Sequence, residues 1–108
     1  MNIWALDKDE SIKVLLLILR QQLPLDCYVV EVTQDLDSRA IRLLKVGEPG
    51  ISAYLYTYGQ EPNTYGVHLE LPELAERDRS NELEVYEGLG IDHLVEILCV
   101  HFNVIPGD

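Results

Sequence analysis

Ile51-Ser52-Ala53-Tyr54-Leu55-Tyr56-Thr57-Tyr58-Gly59-Gln60-Glu61-Pro62-Asn63-Thr64-Tyr65-Gly66-Val67-His68-Leu69-Glu70-Leu71 carries strand chemistry twice, interrupted once. In Ile51–Tyr58 the residues Ile51, Ala53 and Leu55 share one face, and Tyr54, Tyr56 and Tyr58 share the other, because side chains alternate along an extended chain. Gly59 to Asn63 is turn chemistry. Thr64–Leu71 then alternates again, with Tyr65, Val67, Leu69 and Leu71 on one face. So short a loop cannot carry a crossover, so the two strands are antiparallel neighbours. Pairing Tyr58 with Thr64 sets Tyr54 opposite His68 and Tyr56 opposite Gly66, where the ring would cover a bare glycine and stabilise the sheet.

Working outward, Arg39–Val46 reads as a strand that ends at the turn Gly47-Glu48-Pro49-Gly50. A four-residue turn there places Ile41 and Leu43 beside Tyr56 and Tyr54, making an aromatic and aliphatic face. Before it, Cys27–Thr33 is rich in strand formers, and Gln34–Ser38 is a loop. Downstream, Pro72–Asn81 is charged and reads as a connection, Leu83–Tyr86 as a short fifth strand, and Gly88-Leu89-Gly90 as a turn. Asp7 with Glu10 three residues on resembles a capping box for a helix over Ser11–Leu23, stopped by Pro24. A last helix is expected over Ile91–Phe102; apolar on most sides, it calls for burial against both the sheet and the first helix. The expectation is one α+β domain over residues 1–108. It is an antiparallel β-meander of four to five strands with an N-terminal and a C-terminal helix packed on one face (α-β-β-β-β-β-α).

Composition narrows what such a domain can do. Nineteen acids against eight Lys and Arg give a net charge of −11. The excess lies in residues 46–108, where Arg77 and Arg79 are the last two cations in the chain. Such a surface repels phosphate, so neither nucleic acid nor an anionic membrane is an expected partner. The N-terminus has acids where a signal peptide would carry bases, and no apolar run is long enough to span a bilayer. A cytoplasmic location is therefore expected, with Cys27 and Cys99 as small buried thiols.

Motifs that carry chemistry are few. There is no nucleophile elbow, phosphate-cradling glycine loop or HExxH. His93 and Glu96 stand one helical turn apart, but two ligands do not make a metal site. Carboxylate pairs such as Glu73/Glu76 and Glu82/Glu84 read as a solvated acidic surface. No catalytic residue, metal ligand or cofactor is therefore expected.

The patterns that remain are a tyrosine face and an acidic half. Tyrosine suits contact surfaces because it buries a large area and keeps a hydroxyl for a partner. The leading expectation is a small protein-binding module whose acidic half meets a basic protein. Tyr54, Tyr56 and Tyr58 would be its anchors, His68 would stand beside them, and Glu70, Glu73, Glu76, Glu82, Glu84 and Glu87 would supply the charge. A homodimer through the same face is its mildest form. The alternatives are a small enzyme or ligand-binding domain centred on His68 and the tyrosines, and a structural domain with no specific partner. In size, acidity and helix–sheet–helix plan the chain resembles immunity proteins that neutralise basic toxins and acidic secretion chaperones, a likeness of plan that no motif carries.

Overall fold

A computed structural model of the chain describes residues 3–24, 26–31, 37–71 and 84–105. A 3-10 turn at Ile3–Ala5 leads into α1, Glu10–Gln22. Five strands follow: β1 Tyr28–Glu31, β2 Ala40–Lys45, β3 Glu48–Tyr56, β4 Tyr65–Glu70 and β5 Glu84–Leu89. The helix α2, Ile91–Phe102, closes the fold. The strands lie in the order β1-β2-β3-β4-β5, every neighbouring pair antiparallel, so the sheet is a simple meander. This is the expected α+β architecture.

One apolar cluster joins both helices to one face of the sheet. Ile12, Leu15, Leu16 and Leu19 of α1 meet Ile41 and Leu43 of β2, Ala53 and Leu55 of β3, and Val67 and Leu69 of β4. Leu94, Leu98 and Phe102 of α2 complete it. Both of these helices thus lie on one side, and among the described residues the opposite face of the sheet carries no helix.

Several boundaries differ from expectation, each for a local reason. The cap of α1 is Asp9 rather than Asp7: its carboxylate accepts from the Ser11 amide at 2.9 Å and the Ser11 hydroxyl at 2.7 Å. The helix accordingly starts at Glu10 and ends at Gln22. β1 runs over Tyr28–Glu31, and the end expected at Thr33 lies outside the described residues. The turn between β2 and β3 is the pair Val46-Gly47, with Gly47 at φ +86°, a conformation that suits glycine. Glu48-Pro49-Gly50 therefore belongs to β3, and Lys45 pairs with Glu48 at 3.0 Å beside the turn. β5 extends through Gly88 and Leu89, so only Gly90 is left to precede α2. The connection expected over Pro72–Asn81 lies outside the described residues. α2 is buried against the sheet but not all round: Val100 is 82% exposed.

The correction that matters for function is a shift of one residue in β2. A β-bulge between Leu44 and Lys45 sets the register so that Leu43 faces Ala53 and Ile41 faces Leu55. Ile41 and Leu43 therefore lie in the core, under the helices, and not beside the tyrosines. Arg42 pairs with Tyr54 and Ala40 with Tyr56 instead, since one step of register exchanges the two faces of a strand.

Candidate functional site

The face opposite α1 and α2 centres on β3. Tyr54 lies opposite His68 and Tyr56 opposite Gly66, the pairing read from the sequence. Gly66 is a requirement of the packing: a Cβ at that position would stand 2.3 Å from Cζ of Tyr56. The Tyr56 ring lies flat on the glycine, and Tyr58, just past the strand, folds its own ring back to stack on Tyr56 at 4.7 Å. Tyr56 is thereby only 2% exposed. Of the three tyrosines it is the structural one, while Tyr54 and Tyr58 stay partly exposed.

Hydroxyls and carboxylates complete the cluster. Tyr54 and Tyr58 share a hydrogen bond between their hydroxyls at 3.1 Å. The Tyr56 hydroxyl donates to the Glu87 carboxylate. That reach depends on β5: Leu89 pairs with Tyr65 and Tyr86 with Val67, so both Glu87 and Gly88 oppose Gly66. Gly88, at φ +69°, takes up the extra residue and leaves Glu87 on the open face with Leu89 on the core face. His68 lies edge-on to Tyr56 at 5.3 Å and 5.6 Å from Tyr54.

Beside the rings stands a charged network that the sequence reading passes over. Arg42 donates from Nε to Glu70 at 3.1 Å and from Nη1 to Glu31 at 3.3 Å, and its guanidinium lies 5.4 Å from the Tyr54 ring centre. Glu70 also accepts from the Ser52 hydroxyl at 2.5 Å. The signal for Arg42 was present: Ile41 and Leu43 flank it, and an aliphatic pair at that spacing belongs in a core, which turns the residue between them outward. Replacing Arg42 with Met keeps the stem but leaves two partly buried carboxylates beside each other. The expected cost is about 1 kcal/mol, because the network is still partly solvated. A urea titration should show a lower midpoint with an unchanged slope.

The environment also moves the phenols. Burial first, then the hydrogen bond and charge of Tyr58, push Tyr54 up to about 12. Burial and the Glu87 carboxylate raise Tyr56 further. A group whose pKa is raised by folding contributes stability that is complete below its unfolded value and disappears as pH climbs through the folded one. The domain should therefore lose stability from the ordinary phenol value of 10.0 up to about 12. Thermal melts across that window should fall less steeply for Tyr54→Phe than for the parent.

The expected acids do not form one patch. Glu70 and Glu87 stand at the tyrosine face, joined there by Glu31. Glu84 pairs with Leu69 and faces the helix side, where the Tyr86 hydroxyl donates to it at 3.3 Å. Glu73, Glu76 and Glu82 lie outside the described residues.

Among the remaining groups, His101 bonds through Nε2 to the Ser52 carbonyl at 2.7 Å, fixing the end of α2 to β3, and His93 is exposed. Cys27 and Cys99 are free thiols, both held above the ordinary value first by burial. Cys99 is buried and Cys27 partly so. Among the described residues no group of three His, Cys, Asp or Glu side chains could hold a metal ion. No helix of the described residues is long and apolar enough to cross a membrane.

The class these features define is an α+β domain with a tyrosine-lined open sheet face edged by carboxylates. Set against protein-family models, curated proteins and solved structures, the chain matches none of them.

Proposed function

We propose that the chain is a protein-binding module that takes a basic partner on the open face of its sheet. The observation that carries this reading is the partly exposed ring cluster of Tyr54, Tyr58 and His68, set among Glu31, Glu70 and Glu87 with Arg42 as the cation between them. Aromatic groups on a rigid strand are good anchors, because little side-chain freedom remains to be lost on binding. The surrounding carboxylates favour a cationic surface, which raises association rate and selectivity more than raw affinity. Among the described residues, the clefts at α1, at β1 and beside α2 are lined by residues other than these, and the ring cluster lies on a sheet face. That shape fits a macromolecule better than a small substrate.

The test is a pull-down from the source lysate at low and high salt, read by mass spectrometry. A basic protein captured at low salt and weakened at high salt is the expected result. Capture of nothing at either salt would remove the basic-partner reading, and a doubled mass of the isolated domain in sedimentation would make the partner a second copy.

A further inference from the structure

Among the described residues, the helix side of the sheet carries a second exposed apolar surface. Glu84 and Tyr86 of β5 face α2 across a shallow groove of about 520 Å³, floored by Leu69, Ile97 and Val100. A second hollow of about 540 Å³ lies on the other flank of Val100, bordered by Val104 and Ile105. Val100 and Ile105 are 82% and 81% exposed, and Tyr86 is 39% exposed, so aliphatic and aromatic surface is continuous across the end of α2.

The rim of this surface has one sign of charge. Glu84 and Glu96 border the groove itself, and the His101 ring at its edge is engaged with the Ser52 carbonyl. No Lys or Arg occurs anywhere after Arg79. An acidic rim over an apolar floor complements a segment with aliphatic groups on one side and cations at its edges. Like charge along the rim works against an acidic or phosphorylated segment.

We infer that the groove between β5 and α2 docks a basic amphipathic segment of a partner protein. Its aliphatic side chains lie on Val100, Ile97 and Leu69, and its Lys or Arg groups lie at Glu84 and Glu96. The hydrogen bond from the Tyr86 hydroxyl to Glu84 holds that carboxylate along the strand. The inference rests on the reading of the chain as a binder of basic proteins, and it gives that class of partner a second seat on the opposite side of the sheet.

The experiment uses a short fluorescent amphipathic leucine–lysine peptide as probe, with a leucine–glutamate peptide as control, and reads anisotropy on the full chain. The lysine peptide should bind and the glutamate peptide should not. Val100→Asp and Glu96→Lys, both at exposed positions, should each weaken binding about tenfold or more, whereas Val46→Ser, at an exposed position in the turn between β2 and β3, should leave it unchanged. Circular dichroism checks that each variant is folded. Unchanged affinity in Val100→Asp overturns the groove as the seat, and so does an absence of binding by the parent. Loss of binding in a Tyr54→Ala/Tyr58→Ala variant, with none in Val100→Asp, would overturn the groove while leaving the tyrosine-face reading standing. A concentration-dependent doubling of mass that Val100→Asp abolishes would overturn the inference in favour of a second copy as occupant.

Discussion

Gly66→Ala should destabilise the domain by about 2 kcal/mol and lower its Tm by about 10 °C. The new methyl would overlap Cζ, Cε2 and Oη of Tyr56, at 2.3, 2.4 and 2.7 Å from Cβ. The ring cannot swing aside without leaving the Glu87 carboxylate and parting from the ring of Tyr58 stacked on it. Tyr56→Ala alone should cost about 3 kcal/mol, since it removes a buried ring and uncovers the glycine. The three atoms nearest the methyl at position 66 all belong to that ring, so the double variant should be no less stable than Tyr56→Ala. The expected coupling is thus about 2 kcal/mol, measured by denaturation of the four proteins in a cycle. Strict additivity would show that the ring and the glycine are not in contact.

Tyr54→Ala combined with Tyr58→Ala should abolish binding of the basic partner, weakening it about a hundredfold or more, while the domain stays folded. The choice of pair follows from burial. Tyr56 is 2% exposed and holds the sheet, whereas Tyr54 and Tyr58 present part of their rings to solvent. Anchors of this kind cost about 2 kcal/mol or more each when truncated at the centre of an interface. Their loss should appear mainly as faster dissociation, whereas Glu70→Gln and raised salt should act mainly on association. Because Tyr58 shields Tyr56, the variant should lose some stability, and its folded state is checked by its melting curve.

The two halves of the open face were legible to different degrees. The register of β3 with β4 is carried by the sequence because the loop from Gly59 to Asn63 allows one antiparallel pairing that puts Leu55 and Val67 on the same side. Gly66 under Tyr56 follows from that register. On the β2 side Gly47-Glu48-Pro49-Gly50 has the composition of a turn, yet Glu48 to Gly50 belong to β3. Proline is tolerated there: β3 pairs with β4 only from Ser52 onward, so Pro49 lies outside the paired stretch. The irregularity between Leu44 and Lys45 then takes up three residues of β3, Pro49 to Ile51, and the register beyond it turns Ile41 and Leu43 into the core and brings Arg42 out. A bulge depends on how two strands meet, and neither strand records it alone.

The acidic half was legible as charge and not as place. Nothing local in Glu84 and Glu87 says that they face opposite sides of β5. That follows from Tyr86 opposing Val67 and from the extra residue at Gly88. Both helices were legible because their apolar spacing and stop signals are local, and Asp9 replaces Asp7 as the cap because Ser11 offers it both an amide and a hydroxyl.

The central claim is tested most directly by parallel pull-downs from the source lysate with the parent domain and the Tyr54→Ala/Tyr58→Ala variant, each at low and high salt. The prediction is a basic protein retained by the parent, reduced by salt, and absent from the folded variant at both salts. Equal retention of that protein by parent and variant would contradict the role given to the tyrosine face.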